Sequence, residues 1–116
     1  MSDIKRDYRL YLRDIVEHAR RIMRYVHGKT YEQFTQDEML IDAVIRNLEV
    51  IGEAVKRVPY SVRRKYPQVA WQKIAGLRDI LIHDYTNISI PILWDIITNK
   101  LPELMEQIGA ILDAEN

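Results

Sequence analysis

Residues 35–55 read Thr35-Gln36-Asp37-Glu38-Met39-Leu40-Ile41-Asp42-Ala43-Val44-Ile45-Arg46-Asn47-Leu48-Glu49-Val50-Ile51-Gly52-Glu53-Ala54-Val55. This stretch decides the fold class. Thr35 and Glu38 stand at capping-box spacing, which predicts a helix beginning with Thr35 as N-cap. Behind them Met39, Leu40, Ala43, Val44, Leu48, Ile51, Ala54 and Val55 follow helical spacing along one stripe, and Ile41, Ile45 and Val50 widen it. A helix apolar on more than one side must be covered by more than one neighbour. Gly52 inside it costs about 1 kcal/mol relative to alanine, and a close helix–helix approach is the reason expected for it.

The neighbouring segments read as helices as well. Towards the N-terminus Ile4, Tyr8, Tyr11, Leu12, Ile15, Ala19, Ile22, Met23 and Val26 form an amphipathic stripe, which Gly28 can stop in a left-handed cap. Pro59 ends the central helix, and Tyr60–Tyr66 is a short basic piece closed by Pro67. Trp71, Ile74, Ala75, Leu77, Ile80, Leu81 and Ile82 fill a third long helix that ends around Tyr85, before a polar break at Thr86, Asn87 and Ser89. A last helix runs from Ile92 to Ile111, with Pro91 in its first turn and a kink expected at Pro102. No segment alternates as a strand, and Pro91 argues against one at Ile88–Ile92. The expected fold is all-α: an up-and-down bundle of four long helices with one short helix inserted before the third.

The chain has 116 residues, which suits a single domain over 1–116. The absence of cysteine excludes a disulfide scaffold, cysteine-ligated zinc, iron–sulfur centres and thiol catalysis. No apolar run approaches the roughly 18 residues of a membrane span. The first ten residues are charged and lack an apolar signal core, so a cytoplasmic protein without membrane association is expected. Equal numbers of cations and anions, 17 each, hide a block pattern. Residues 56–78 carry seven cations and no anion: Lys56, Arg57, Arg63, Arg64, Lys65, Lys73 and Arg78. Two readings fit this block: a surface that tracks a phosphate backbone, or a solvated face paired with the acidic segments on either side.

The candidate chemistry lies in Arg78-Asp79-Ile80-Leu81-Ile82-His83-Asp84-Tyr85. His18 and His27 belong to no recognisable metal-binding motif, and no metal site or phosphate-binding loop is legible. Asp79 and His83 are one turn apart on one face. That spacing lets Asp79 support His83 by holding its ring in one tautomer and favouring its charged form. Arg78, about 140° round the helix from His83, has a side chain long enough to reach the same spot and fork onto a phosphate oxygen. A cation, an imidazole and the Tyr85 hydroxyl without a metal suit phosphodiester cleavage by an RNA 2′-hydroxyl. In that chemistry His83 moves the proton and Arg78 stabilises the charge on phosphorus. A plain helix end with an Asp79–His83 pair fits the same spacing.

The pattern Arg-x4-His-x-Tyr at Arg78, His83 and Tyr85 resembles the signature of the HEPN superfamily. With Arg46–Ala54, Trp71–Arg78, Trp94 and Leu101-Pro102, the chain resembles HepT-type toxins more closely. The resemblance implies a helical homodimer with two motifs facing across a two-fold axis. It implies a metal-independent endoribonuclease using Arg78 and His83, with no cofactor, in a type II or type VII-like toxin–antitoxin system. It also implies a minimal nucleotidyltransferase antitoxin that can adenylylate Tyr85. Family members often carry asparagine where this chain has Asp79. On this resemblance Arg63, Arg64, Lys65 and Lys73 become candidate RNA contacts. The alternative function is a non-catalytic nucleotide- or protein-binding adaptor for the nucleotidyltransferase.

Overall fold

The computed structural model describes residues 7–116, apart from the side chain of Tyr85. Among them every regular element is helical: α1 (Tyr8–Val26), α2 (Tyr31–Thr35), α3 (Glu38–Arg57), α4 (Tyr60–Lys65) and α5 (Trp71–Asp84). A 3-10 turn (Tyr85–Asn87) leads to α6 (Ile90–Asp95), which continues through a π-helical turn (Ile96–Lys100) into α7 (Leu101–Glu115). The all-α expectation holds, with α4 as the inserted short helix and α2 as a second short one.

α1 buries Leu12, Ile15, Ala19, Ile22 and Val26, the stripe its spacing announces. Gly28, at φ +75°, turns the chain beyond its end. The residues before Asp7, Ile4 among them, lie outside the described part. α1 packs along α3, and one polar bond pins the pair. Asn47, buried within α3, donates from Nδ2 to the Ala43 carbonyl at 2.8 Å, so its Oδ1 accepts from Nδ1–H of His18 at 2.8 Å. His18 is therefore a structural link.

The start of α3 departs from the expected capping box. Thr35 closes α2, and Asp37 is the N-cap of α3, its carboxylate accepting from the Leu40 N–H. The capping box sits five residues earlier, between Thr30 and Gln33 at the head of α2. Both stretches have the same spacing, but Asp37 offers a strong cap one residue before Glu38, which frees Thr35 for α2. This register leaves Met39 on the solvent side, 84% exposed. α2 packs through Phe34 and Tyr31 against Trp94 of α6, with ring centroids 5.1 and 6.1 Å apart.

Pro102 does not break its helix. The turn before it widens by one residue, and the Leu101 N–H donates to the Ile96 carbonyl five residues back. Such a π turn gives the pyrrolidine ring room where an α turn would clash.

The long helices lie side by side in the order α5, α3, α1, α7. The remaining side, between α5 and α7, is a groove of about 460 Å³. Ile74, Leu77 and Ile80 line it from α5, and Ile96, Leu101 and Leu104 from the opposite wall. Trp71 and Leu81 are the buried side chains of α5.

Three elements are tied together at the chain's end by Glu115. Its carboxylate accepts from the hydroxyls of Tyr8 and Tyr66 and pairs with Lys65 Nζ at 2.7 Å. The ammonium and the two phenols lower its pKa from 4.5 to about 2. A depressed carboxylate stabilises the fold fully above its unfolded value and loses that contribution as the pH falls through its folded value. The unfolding free energies of wild type and Glu115→Gln should therefore differ most above pH 4.5 and converge as the pH nears 2. Urea titrations at stepped pH measure this, and a pH-independent difference would contradict the assignment.

Candidate active site

The site is built where α5 crosses α3. A Cβ placed on Gly52 would lie 2.2 Å from Cβ and 2.9 Å from Cγ of Arg78, and 3.2 Å from the Ile74 carbonyl oxygen. The close approach expected at Gly52 is present, and the group that fills it is the stem of Arg78.

The guanidinium at the end of that stem is held between two carboxylates. NH2 pairs with Glu53 Oε2 at 3.1 Å and NH1 with Asp79 Oδ1 at 3.0 Å. Each carboxylate holds a second cation: Glu53 Oε1 meets Arg57 NH2 at 3.2 Å, and Asp79 Oδ1 meets Lys56 Nζ at 2.9 Å. Lys56, and after it Arg78, hold the Asp79 carboxyl below the usual carboxylate range. Nε of Arg78 is buried without a hydrogen-bond partner. Arg46 and Glu49, earlier on α3, form a separate pair at 3.6 Å.

Arg78 and Ile82 face an open cavity of about 370 Å³ between α1, α3 and α5. Tyr11 and Asp14 line it from α1, and Arg46, Glu49, Glu53 and Arg57 from α3. His83 is exposed and does not line this cavity. The carboxylate of Asp79 is not directed to His83, one turn away on the same helix, because it pairs with Lys56 and Arg78. Two fully charged partners outcompete an imidazole for a carboxylate. Tyr85 opens the 3-10 turn after α5, and its side chain lies outside the described residues.

The other candidate RNA contacts lie elsewhere. The guanidinium carbons of Arg63 and Arg64 stand 6.0 and 5.4 Å from the Tyr60 ring centroid. Lys65 is engaged by Glu115, and Lys73 lines the groove between α5 and α7. None of the four lines the Arg78 cavity. Among the described residues no group of three or more His, Asp or Glu is arranged to hold a metal ion, and no helix is long and apolar enough to cross a membrane.

Comparison with known proteins places these features. The family described as "Ribonuclease HepT-like" matches residues 15–111. The chain belongs to the HepT-like ribonuclease family. A Methanocaldococcus jannaschii relative, provisionally named an RNase, is 45% identical over 93% of this chain and 89% of its own. A Caldanaerobacter subterraneus relative, also provisionally named an RNase, is 41% identical over 92% and 96%. "Probable ribonuclease HepT" of Thermococcus cleftensis is 37% identical over 87% and 92%. No solved structure matches the chain significantly.

For a HepT-like chain, the residues that sequence reasoning missed are the partners of Arg78. Lys56 lies 23 positions before Asp79, and nothing local announces their pairing. Glu53 lies 25 positions before Arg78, and nothing local marks it as the group holding that guanidinium. The Gly52 contact generates a prediction. In Gly52→Ala a methyl group must displace the Arg78 stem, a cost of about 1–3 kcal/mol for overpacking against a helix-propensity gain of up to about 1 kcal/mol. Urea unfolding should show a net loss of about 1–2 kcal/mol on those terms. A stabilised Gly52→Ala protein would contradict the contact.

Proposed function

We propose that this single-domain chain is a metal-independent endoribonuclease acting as the toxin of a type II or type VII-like toxin–antitoxin pair. One observation carries the reading: the Arg78 guanidinium, fixed by Gly52 and Glu53, faces an open cavity on the helix that also bears an exposed His83. In RNA cleavage the 2′-oxygen attacks phosphorus and its proton passes to His83. The bond to the 5′-oxygen breaks, and that oxygen takes up a proton. Arg78 stabilises the charge on the phosphoryl oxygens. The products carry a 2′,3′-cyclic phosphate and a 5′-hydroxyl.

His83 and Arg78 leave α5 on different sides, so a homodimer completes the site in this reading. Ile80 and Ile82, 56% and 42% exposed, lie within the motif between Arg78 and His83 and are suited to cover by a second copy. Two motifs in one cleft double the cationic field on an RNA strand, with Arg63, Arg64, Lys65 and Lys73 as outlying contacts. The partner is a minimal nucleotidyltransferase antitoxin. Adenylylation of the Tyr85 hydroxyl would place an anion beside the motif and compete with substrate phosphate. The exclusion of His83 from the Arg78 cavity favours the second reading, a non-catalytic adaptor for the nucleotidyltransferase.

Cleavage of RNA by the purified protein in chelator separates the two. The enzyme reading predicts cyclic-phosphate ends and rate losses of about 10²–10⁴ in His83→Ala, with a comparable defect in Arg78→Ala. An inert wild type would overturn it and leave the adaptor, and cleavage that strictly requires magnesium would overturn the metal-independent mechanism.

A further inference from the structure

Two cations on two different helices converge on a single oxygen atom. Lys56 Nζ, from α3, lies 2.9 Å from Asp79 Oδ1, and Arg78 NH1, from α5, lies 3.0 Å from that same oxygen. An ammonium and a guanidinium aimed at one anionic oxygen form the donor set that binds a phosphodiester oxygen. Here the oxygen is supplied by the chain itself. We propose that Lys56, outside the lining of the Arg78 cavity but paired through Asp79 with the same guanidinium, is a second phosphate-binding residue beside Arg78, and that Asp79 is an internal anion displaced when an RNA phosphate arrives. The inference rests on the ribonuclease reading above and deepens it.

The geometry makes the exchange feasible. The Asp79 side chain is 48% exposed and that of Lys56 39%, so both are open to solvent and their pair is weakly held. A phosphodiester oxygen carries the same kind of anionic charge as the carboxylate oxygen, so it can take that place between Lys56 and Arg78 while the exposed Asp79 side chain turns to solvent. Arg78 does not lose its aim when Asp79 leaves. Its NH2 remains on Glu53 at 3.1 Å and its stem remains against Gly52. Glu53 is thus the positioning carboxylate and Asp79 the exchanging one. The substitution of asparagine for Asp79 keeps the size of the side chain and removes the competing charge.

The test is binding of the full chain to a short, fluorescein-labelled single-stranded RNA made uncleavable by 2′-O-methyl groups. Affinity is measured by anisotropy over a salt series. Lys56→Ala should weaken binding and make the plot of log affinity against log salt shallower by about 0.7, the loss of one phosphate contact on a single strand. Asp79→Asn should tighten binding several-fold. Lys29→Ala, in the loop after α1, should leave the slope unchanged. In cleavage assays Lys56→Ala should raise KM far more than it lowers kcat. An unchanged slope in Lys56→Ala, or weaker binding in Asp79→Asn, overturns this inference while leaving the ribonuclease reading intact if wild type still cleaves. A wild type that neither binds nor cleaves RNA overturns both.

Discussion

The missing side chain at Gly52 is the constraint on which the rest of the site depends. Without a Cβ on α3, α5 settles close enough for the Arg78 stem to lie directly on the central helix. A long, rotamer-rich side chain becomes a positioned one, because its base is packed and its tip is clasped by carboxylates. The bundle serves this contact. The buried stripe of α1 and the His18–Asn47 bond fix one flank of α3, which leaves the opposite flank to α5.

Electrostatics then decide what the positioned arginine can do. Arg57, Glu53, Arg78, Asp79 and Lys56 alternate in sign through successive ion pairs, so the basic block and the acidic segments beside it meet as partners at this place. Pairing of the basic block with the acidic segments holds locally, and it does not exclude a surface that meets phosphate. An alternating network holds cations close together without mutual repulsion and keeps them available to an incoming anion. His83 stands apart from this network, and the separation of the two motif residues around α5 is the physical argument for a second copy.

Much of this was legible in the sequence. Spacing gave the four long helical segments, Gly28 gave a left-handed stop, and Gly52 announced a close approach. The family followed from motifs spread over most of the chain. The failures have common causes. Two Thr-x-x-Glu/Gln spacings, at Thr30 and at Thr35, compete within a few residues, and the stronger cap at Asp37 settles which is used. Pro102 is accommodated by a widened turn before it, which apolar periodicity does not announce. The spacing of Asp79 and His83 suggested a pair, but Lys56, distant in sequence, reaches the carboxylate instead. Helical periodicity reports neighbours within a helix and is silent about which charges another helix delivers.

The most direct test of the central claim observes the Arg78 guanidinium itself. Side-chain nitrogen resonances of the arginines, with Arg78 assigned through Arg78→Lys, can be followed while an uncleavable single-stranded RNA is added. A large displacement of the Arg78 signal, at least equal to that of any other arginine, is the expected result. An unmoved Arg78 signal, with changes confined to Arg63 and Arg64, would contradict it.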